Sequence, residues 1–287
     1  SPPFNLIGFI DDDKAKIGKI IESLPVLGNS KSLLEIIKQE YITDLIFSIS
    51  GRMEPETFRA ILQAKENGVE ITTMPILYEE LIGRVPIFLL EDDWILRSFI
   101  NHTRSTSGYE TMKRILDVFV ASVGFCILLA LTPIIALMIL LDDGTPIIFK
   151  QERLGLNGKP FTLLKFRTMH SDAEGDGVAR PAVENDERVI GVGRFLRRSH
   201  LDELPQFLNV LKGDISMVGP RAERTELVNQ FQNEIPFYRA RLFVKPGITG
   251  WAQINYRYAS NVEESAVKLE YDLYYIEHAS IWMDLNI

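Results

Sequence analysis

The chain has 287 residues, of which 46% are hydrophobic and 24% charged, and its formal net charge is −8 at neutral pH. This composition excludes a mostly disordered chain, and the length allows two domains. The negative charge argues against a nucleic-acid partner bound through phosphate neutralisation. The single cysteine, Cys126, excludes an internal disulfide and fits a reducing cytoplasmic setting. The histidines are scattered without metal-ligand spacing, so we expect no zinc site.

Short apolar strands alternate with helical patterns over residues 1–100. We predict strands at Leu6–Ile10, Leu45–Ser50 and Val69–Met74, and helices at Ser32–Glu40 and Pro55–Asn67. This alternation predicts an α/β domain with a Rossmann-like parallel sheet. The Gly-x-Gly-x-x-Gly turn of dinucleotide-binding domains is missing, which argues against cofactor binding by this half. A polar linker is predicted at 101–112.

An uncharged apolar run from Val118 to Leu141 follows, and its length of roughly 24 residues is enough to cross a bilayer. Pro133, after Thr132, predicts a kink in the helix. Neither the part of the run before the kink nor the part after it would alone span the hydrocarbon core of the bilayer. Basic residues flank both ends, which favours the cytoplasmic side for both. We therefore predict a re-entrant membrane helix over 113–143, in which the Thr132 hydroxyl satisfies a backbone group. A straight spanning helix is the alternative, and a buried core helix is less favoured because the run has no polar face.

A mainly helical α+β domain is predicted over 144–287. We expect strands at Pro146–Lys150 and Phe161–Phe166, a mobile polar loop at Ser171–Glu187, a largely helical Arg194–Gly213 and a sharp turn at Lys245-Pro246-Gly247. Pro205 is tolerated only in the first turn of a helix, so we expect a helix to begin near Leu201 or Asp202.

Asp202 and Glu203 would then lie at the positive end of a helix dipole, where acidic side chains often serve only as caps. A chemical role is the other interpretation, because carboxylates can act as nucleophile or as magnesium ligand. Each nearby cation taken alone is typical of an ordinary surface. Together with two adjacent carboxylates and a membrane segment, they favour phosphoryl transfer at a membrane. The candidate cations are Arg153, Lys165, Arg167 and Arg221.

The order of the motifs strongly resembles that of the bacterial sugar transferases, which are monotopic polyprenyl-phosphate phosphoglycosyl transferases. The motifs are Lys113-Arg114-x-x-Asp117, Thr132-Pro133, Phe149-x-Gln151-x-Arg153, Lys165-Phe166-Arg167, Asp202-Glu203-Leu204-Pro205-Gln206, Asn209-Val210-Leu211-Lys212-Gly213-Asp214, Ser216-x-Val218-Gly219-Pro220-Arg221 and Lys245-Pro246-Gly247-x-Thr249-Gly250. The resemblance covers about residues 109–287. Pro220-Arg221-Ala222 departs from the Pro-Arg-Pro common in the family.

Residues 1–100 resemble the soluble nucleotide-fold, CoA-binding-like domain of the longer family members. Membrane helices precede that domain in those proteins. We interpret the chain as truncated at its start, without those helices or the domain's first strand, and as stopping short of the usual C-terminal end.

The resemblance implies a two-step reaction. Asp202 would attack the sugar-linked phosphate of a UDP-sugar and release UMP, and polyprenyl (undecaprenyl) phosphate would then accept the phosphosugar. Glu203 would hold Mg²⁺, while Arg153, Lys165, Arg167 and Arg221 would screen the phosphates. His200 is interpreted as a surface or supporting residue, because an attacking carboxylate needs no general base at neutral pH.

The implied location is the cytoplasmic face of the bacterial inner membrane, and the implied role is to initiate exopolysaccharide, capsule or O-antigen assembly. A non-catalytic, membrane-tethered nucleotide-sugar sensor or scaffold is the alternative function. A nucleotide-sugar dehydratase or epimerase is disfavoured because Tyr271 and Tyr275 have no lysine four residues on. The sugar stays open among hexoses, N-acetylated sugars and deoxy sugars, and the first half could supply a homodimer surface.

Overall fold

The computed structural model describes residues 4–48, 53–90, 107–171, 173, 186–256 and 261–287. The chain divides into two compact units, Ser1–Ile82 and Gly83–Ile287. The domain boundary predicted near residue 100 stays a prediction, because residues 91–106 lie outside the described part. Most of the loop predicted at Ser171–Glu187 also lies outside it.

The first unit has mixed α/β structure, as the alternation of its sequence predicts. Its strands are β1 (Phe9–Ile10), β2 (Ile20–Ile21), β3 (Leu24–Gly28), β4 (Asp44–Phe47) and β5 (Glu70–Thr73). Its helices are α1 (Leu33–Gln39), α2 (Pro55–Glu66) and α3 (Met74–Ile82). The strands form two small sheets among the described residues, one in the order β1-β3-β2 and one that pairs β4 with β5. Both β1–β3 and β4–β5 are parallel, whereas β2 is antiparallel to β3.

The core of this unit explains why its helices form where they do. Leu33 and Ile37 of α1 are one turn apart and pack with Ala64 of α2 and Val69. Pro55 opens α2, where its missing N–H costs no helical hydrogen bond. Gly68 follows the helix at φ +86°, a backbone conformation that glycine adopts readily.

The second unit contains the long apolar helix α4 (Ser107–Asp143). It is followed by the hairpin of β6 (Ile148–Leu154) and β7 (Pro160–Phe166), and by the parallel pair of β8 (Ser216–Val218) and β9 (Gly247–Thr249). The remaining helices are α5 (Gly191–Arg198), α6 (Gln206–Lys212), α7 (Thr225–Phe231), α8 (Trp251–Asn255), α9 (Val262–His278) and α10 (Ile281–Asn286). The largest core surrounds the buried Leu269 and Leu273 of α9, and a second core joins α4 to the hairpin and α5.

The segment Arg194–Gly213 is largely helical, as predicted, but the helix expected to begin near Leu201 or Asp202 begins at Gln206. A 3₁₀ turn, Leu201–Glu203, separates α5 from α6. His200 interrupts the helical path because its φ is +56°, in the left-handed region. Pro205 then precedes the first residue of α6, where it removes no helical hydrogen bond.

The apolar run is α-helical on both sides of Pro133. The hydroxyl of Thr132 donates a hydrogen bond of 2.6 Å to the carbonyl oxygen of Leu128, whereas the carbonyl that Pro133 leaves without its helical partner is that of Leu129. Helix α4 is long and apolar enough to cross a membrane by length and composition, and only 22% of its most apolar stretch is buried. Residues of one face pack on the rest of the second unit, namely Asp117, Ala121, Leu128, Ile135 and Ile139. Large apolar side chains on the other face are exposed, among them Phe119, Val123, Ile127, Ile134 and Leu141.

Candidate active site

The two adjacent carboxylates lie on the 3₁₀ turn between α5 and α6. Asp202 is 7% exposed, and the side chain of Glu203 is 15% exposed. The carboxylate of Asp202 forms no ion pair among the described residues. One carboxylate of the pair is therefore shielded from bulk water and yet not neutralised by direct contact with a cation.

Two cations from different elements meet Glu203. Nζ of Lys165, near the end of β7, lies 2.6 Å from Oε1 of Glu203. A guanidinium nitrogen of Arg221, which follows β8, lies 3.4 Å from the same oxygen. Oε2 of Glu203 has no hydrogen-bond partner in the part of the chain that the structure describes.

The pKa values of the two carboxylates shift in opposite directions. Burial raises the pKa of Asp202; the charge of Lys165 opposes this increase, and the charge of Glu203 adds to it. Burial would also raise the pKa of Glu203, but the charges of Lys165 and Arg221 outweigh it and lower that pKa. The pKa of Lys165 is lowered, first by burial and then by the nearby charge of Arg221. Glu203 is thus the stabilised anion, and Asp202 is the more basic carboxylate.

A small cleft is lined by Lys165 and Arg221, the two cations that contact Glu203. Three of the four predicted phosphate-binding cations line it. Its lining residues are Arg153, Leu163, Lys165, Gln206, Ile215, Arg221, Ala222 and Gly247. Arg153 is held in place by Oε1 of Gln151, at 2.6 and 2.9 Å, and by the carbonyl oxygen of Ala222, at 3.0 Å.

The structure places the fourth cation, Arg167, elsewhere. Its guanidinium binds the carboxylate of Asp143, the last residue of α4, and the carbonyl oxygens of Asp143 at 3.0 Å, Gly144 at 2.7 Å and Pro146 at 2.5 Å. The carbonyl of Asp143 has no helical partner and carries partial negative charge, because it ends the helix. Arg167 is 3% exposed. Its predicted phosphate contact has no support from this geometry.

Comparison with models of protein families shows the family of this chain. The model of the family described as bacterial sugar transferase matches residues 108–287, which include the whole site. The chain belongs to the bacterial sugar transferase family. This confirms the resemblance inferred from the motifs. A second model, described as a CoA-binding domain, matches residues 1–75.

Several curated proteins that are similar to the chain carry related names. It is 39% identical, over 73% of its length and 48% of the relative, to the UDP-N-acetylgalactosamine-undecaprenyl-phosphate N-acetylgalactosaminephosphotransferase of Aeromonas hydrophila. It is 45% identical, over 76% of its length and 46% of the relative, to the UDP-glucose:undecaprenyl-phosphate glucose-1-phosphate transferase of Escherichia coli K12. A protein of the same name from Xanthomonas campestris is 32% identical over 93% of the chain and 55% of the relative. The chain thus spans about half the length of these relatives.

The contacts by which α4 holds the site were not predicted from the sequence. Arg114 donates hydrogen bonds to the carbonyls of Val210 and Leu211, at 2.6 and 2.8 Å, at the C-terminal end of α6. Asp117 accepts from the Ser216 hydroxyl at 3.0 Å and from the Met217 N–H at 2.9 Å, on β8. The sequence does indicate these contacts, because Arg114 and Asp117 are one turn apart at the edge of the apolar run and therefore lie on one face of the helix.

Lys113 has a similar structural role. Its Nζ lies 2.8 Å from Asp284 of α10 and 3.1 Å from the Tyr275 hydroxyl. From the sequence, Lys113 and Arg114 were interpreted as charges flanking the apolar run and as part of the first family motif. Both side chains in fact bind groups of the second unit. His200, by contrast, is exposed, in agreement with its interpretation as a surface residue.

A buried charge cluster lies behind the cleft, and it too was missed. It consists of Glu223, Arg241, Lys268 and Asp272. Arg241 lies 2.8 Å from Asp272 and also donates to the carbonyl oxygen of Arg221 at 3.1 Å. Lys268 lies 2.7 Å from Glu223. The cluster therefore supports the backbone that carries a cation of the cleft.

The carboxylates of the site fit a magnesium ion. Mg²⁺ is bound in proteins by one or two carboxylates together with substrate phosphates. Oε2 of Glu203 is available as a ligand because both cations contact Oε1. Asp202 and Glu203 are adjacent, and no cation forms an ion pair with Asp202 among the described residues. The predicted metal role of Glu203 stays a prediction.

Proposed function

We propose that this chain transfers a sugar 1-phosphate from a UDP-sugar to polyprenyl (undecaprenyl) phosphate through a phosphosugar intermediate on Asp202. The observation that carries the proposal is the pairing of a buried Asp202, which has no cation in contact, with a cation-lined cleft beside it. The names of the relatives, which pair UDP-sugars with undecaprenyl phosphate, support the same donor and acceptor.

In the first step, a carboxylate oxygen of Asp202 forms a bond to the sugar-linked phosphorus. The bond between that phosphorus and the bridging oxygen breaks, and its electron pair leaves with the oxygen as part of UMP. The attack brings an anion to an anion, so it depends on positive charge placed where negative charge develops. Lys165 and Arg221 supply that charge from the cleft. Asp202 needs no base, because its reactive form is already deprotonated.

In the second step, an oxygen of polyprenyl phosphate attacks the same phosphorus. The bond to Asp202 breaks, and the electron pair returns to the carboxylate. The products are polyprenyl diphosphosugar and an enzyme in its starting state. A bound Mg²⁺, held by Glu203, would neutralise phosphate charge during this chemistry. We place this reaction at the start of exopolysaccharide, capsule or O-antigen assembly.

The contacts of α4 support a membrane segment whose two ends lie on one side. Arg114, near its start, binds carbonyls of α6, and Asp142, near its end, binds the N–H of Val192. A straight helix of this length would measure roughly 55 Å, far more than a hydrocarbon core of about 30 Å. One compact polar unit in contact with both ends favours the re-entrant arrangement over a spanning helix. We propose that the exposed apolar face of α4 lies in the cytoplasmic leaflet of the inner membrane.

For the first unit, we propose a Rossmann-like domain that could also form a homodimer surface. Its parallel strand pairs and its match to the CoA-binding family support this assignment. The fine specificity for the sugar stays open, since the names of the relatives include both glucose and N-acetylgalactosamine.

Intact-mass spectrometry after incubation with individual UDP-sugars tests the reaction. The wild-type protein should gain the mass of one phosphosugar and release UMP, and the Asp202→Asn variant should do neither. Glu226→Gln, which neutralises an exposed carboxylate on α7, should react like wild type. An adduct of the same mass on the Asp202→Asn variant would exclude Asp202 as the nucleophile. Binding of UDP-sugars without any adduct or UMP would favour a sensor or scaffold.

A further inference from the structure

The cleft beside Asp202 contains a buried carboxamide whose hydrogen-bonding groups are not satisfied by the protein. Gln206, the first residue of α6, is only 5% exposed, and it lines the cleft together with Arg153, Lys165 and Arg221. Its side chain has no hydrogen-bond partner among the described residues. The hydrogen-bonding groups of the amide therefore remain available to a ligand in the cleft.

The other buried carboxamide of the same helix provides a direct contrast. Oδ1 of Asn209 accepts from the N–H of Leu164 at 3.1 Å, and its Nδ2 donates to the carbonyl of Thr162 at 2.7 Å and to Asp214 at 3.1 Å. Asn209 therefore has a structural role that joins α6 to β7. Gln206, one turn earlier on α6, has no comparable partner among the described residues, and it lines the cleft.

The lining of the cleft indicates which ligand group the amide meets. Three cationic side chains favour an anion, and a phosphate offers only hydrogen-bond acceptors around its charge. The amide nitrogen of glutamine supplies two N–H donors. We propose that Gln206 donates a hydrogen bond to a phosphate oxygen of the donor's diphosphate and positions that diphosphate for attack by Asp202. This inference rests on the proposed function and deepens it by naming a positioning residue.

The test compares Gln206→Met with wild type in the full chain, at a fixed free Mg²⁺ concentration. Methionine keeps the length of the side chain and removes both hydrogen-bonding groups. Titration calorimetry with UDP and with inorganic pyrophosphate should show both affinities reduced about ten- to hundredfold, the loss expected for one hydrogen bond to a charged group. The melting temperature should stay near that of wild type, because the amide makes no hydrogen bond to the described residues.

Two further variants make the comparison specific. Gln206→Glu keeps the shape of the side chain but places a negative charge against the phosphates. It should therefore reduce the affinity for UDP more than Gln206→Met does. Gln230→Met changes an exposed glutamine on α7 and should leave both affinities unchanged.

Three outcomes would overturn the inference. The first is unchanged affinity for UDP and pyrophosphate in both Gln206 variants. The second is weaker UDP binding with unchanged pyrophosphate binding, which would place Gln206 at the nucleoside. The third is a lower melting temperature with wild-type affinity, which would make Gln206 structural. If the wild-type protein still forms the Asp202 adduct, these outcomes contradict only this inference. A wild-type protein that neither binds UDP nor forms the adduct would contradict the proposed function as well.

Discussion

The site and the buried charge cluster behind it differ in how completely their charges are compensated. In the buried cluster, Arg241 contacts Asp272 at 2.8 Å, Glu223 at 3.6 Å and the Tyr238 hydroxyl at 2.8 Å. In the site, Oε2 of Glu203 has no partner and Asp202 has no ion pair within the described residues. The carboxylates of both groups are largely removed from water, so the difference between them does not come from exposure.

The contrast separates charges that hold the fold from charges that are available for chemistry. A buried ion that is fully paired stabilises one arrangement of the chain, and a buried ion with an unused oxygen can still bind a ligand. Arg241 links the two groups through its hydrogen bond to the Arg221 carbonyl. Removing a member of the first group should therefore cost stability, whereas removing a member of the second should cost activity.

The largest effect is expected from Arg241→Met. The substitution leaves Asp272 buried without its closest cation, and loss of one partner of a buried pair costs about 3–5 kcal/mol of unfolding free energy. Chemical denaturation should show this loss. Arg239→Met, which changes an exposed arginine in the same 3₁₀ segment, should stay within about 0.5 kcal/mol of wild type.

The same variant should also lose less of its remaining stability in acid than wild type does. Burial would raise the pKa of Glu223, but the charges of Lys268 and Arg241 outweigh it and lower the pKa from its ordinary 4.5 to about 2. The stabilisation by Glu223 is therefore complete above its ordinary pKa and is lost as the pH falls toward about 2. Loss of Arg241 raises the folded pKa of Glu223, so the variant has less of this stabilisation to lose, and its difference from wild type should shrink as the pH falls. Equal acid sensitivity in Arg241→Met and wild type would contradict the role given to the cluster.

Lys165→Met should reduce activity strongly and stability less than Arg241→Met does. Removing one preorganised charge that faces the transition state lowers kcat by about 10²- to 10³-fold. Arg221 still contacts Glu203 in this variant, so a cation remains beside the carboxylate. Rates of UMP release would measure the first effect and denaturation the second.

A matched control for that variant is Lys159→Met, which changes an exposed lysine directly before β7. It should have wild-type rates. If Lys165→Met instead kept its activity and lost as much stability as Arg241→Met, the distinction between the two groups of charges would be wrong.

Much of the site could be predicted from the sequence because its residues lie in short, ordered motifs. Asp202 and Glu203 are adjacent, and Lys165 and Arg221 occur at strand ends, as expected for residues that surround a cleft. The structure brings these four residues together. Arg167 has the same chemistry and lies two residues from Lys165, yet it binds the end of α4. Local sequence does not distinguish these two positions, because the difference depends on where α4 ends in space.

The elements of the fold were also predicted more readily than their breaks. Apolar periodicity placed α2 and the β6–β7 hairpin, since both patterns are local. The interruption at His200 has no such signal, because histidine adopts a left-handed backbone only when its surroundings stabilise it. The cluster around Arg241 joins residues that are far apart along the chain, so no spacing could indicate it.

The pH dependence of adduct formation gives the finest test of the contrast, because it reports on charges that act on Asp202 without contacting it. Asp202 must be deprotonated to attack, so the rate should fall as the pH drops through its pKa. Burial raises that pKa, the charge of Lys165 lowers it, and the charge of Glu203 raises it. Glu203→Gln should therefore move the acid limb of the rate profile to lower pH, and Lys165→Met should move it to higher pH.

Single-turnover rates of adduct formation, followed by mass spectrometry across the acidic range, would measure these displacements. Both variants react more slowly than wild type, so the comparison uses the position of each limb rather than its height. Glu226→Gln, on the exposed face of α7, controls for a general change in charge and should leave the limb in place. Displacements of Glu203→Gln and Lys165→Met in the same direction would mean that the limb does not report Asp202. Opposite displacements are expected because Glu203 and Lys165 carry opposite charges and both act on the pKa of Asp202.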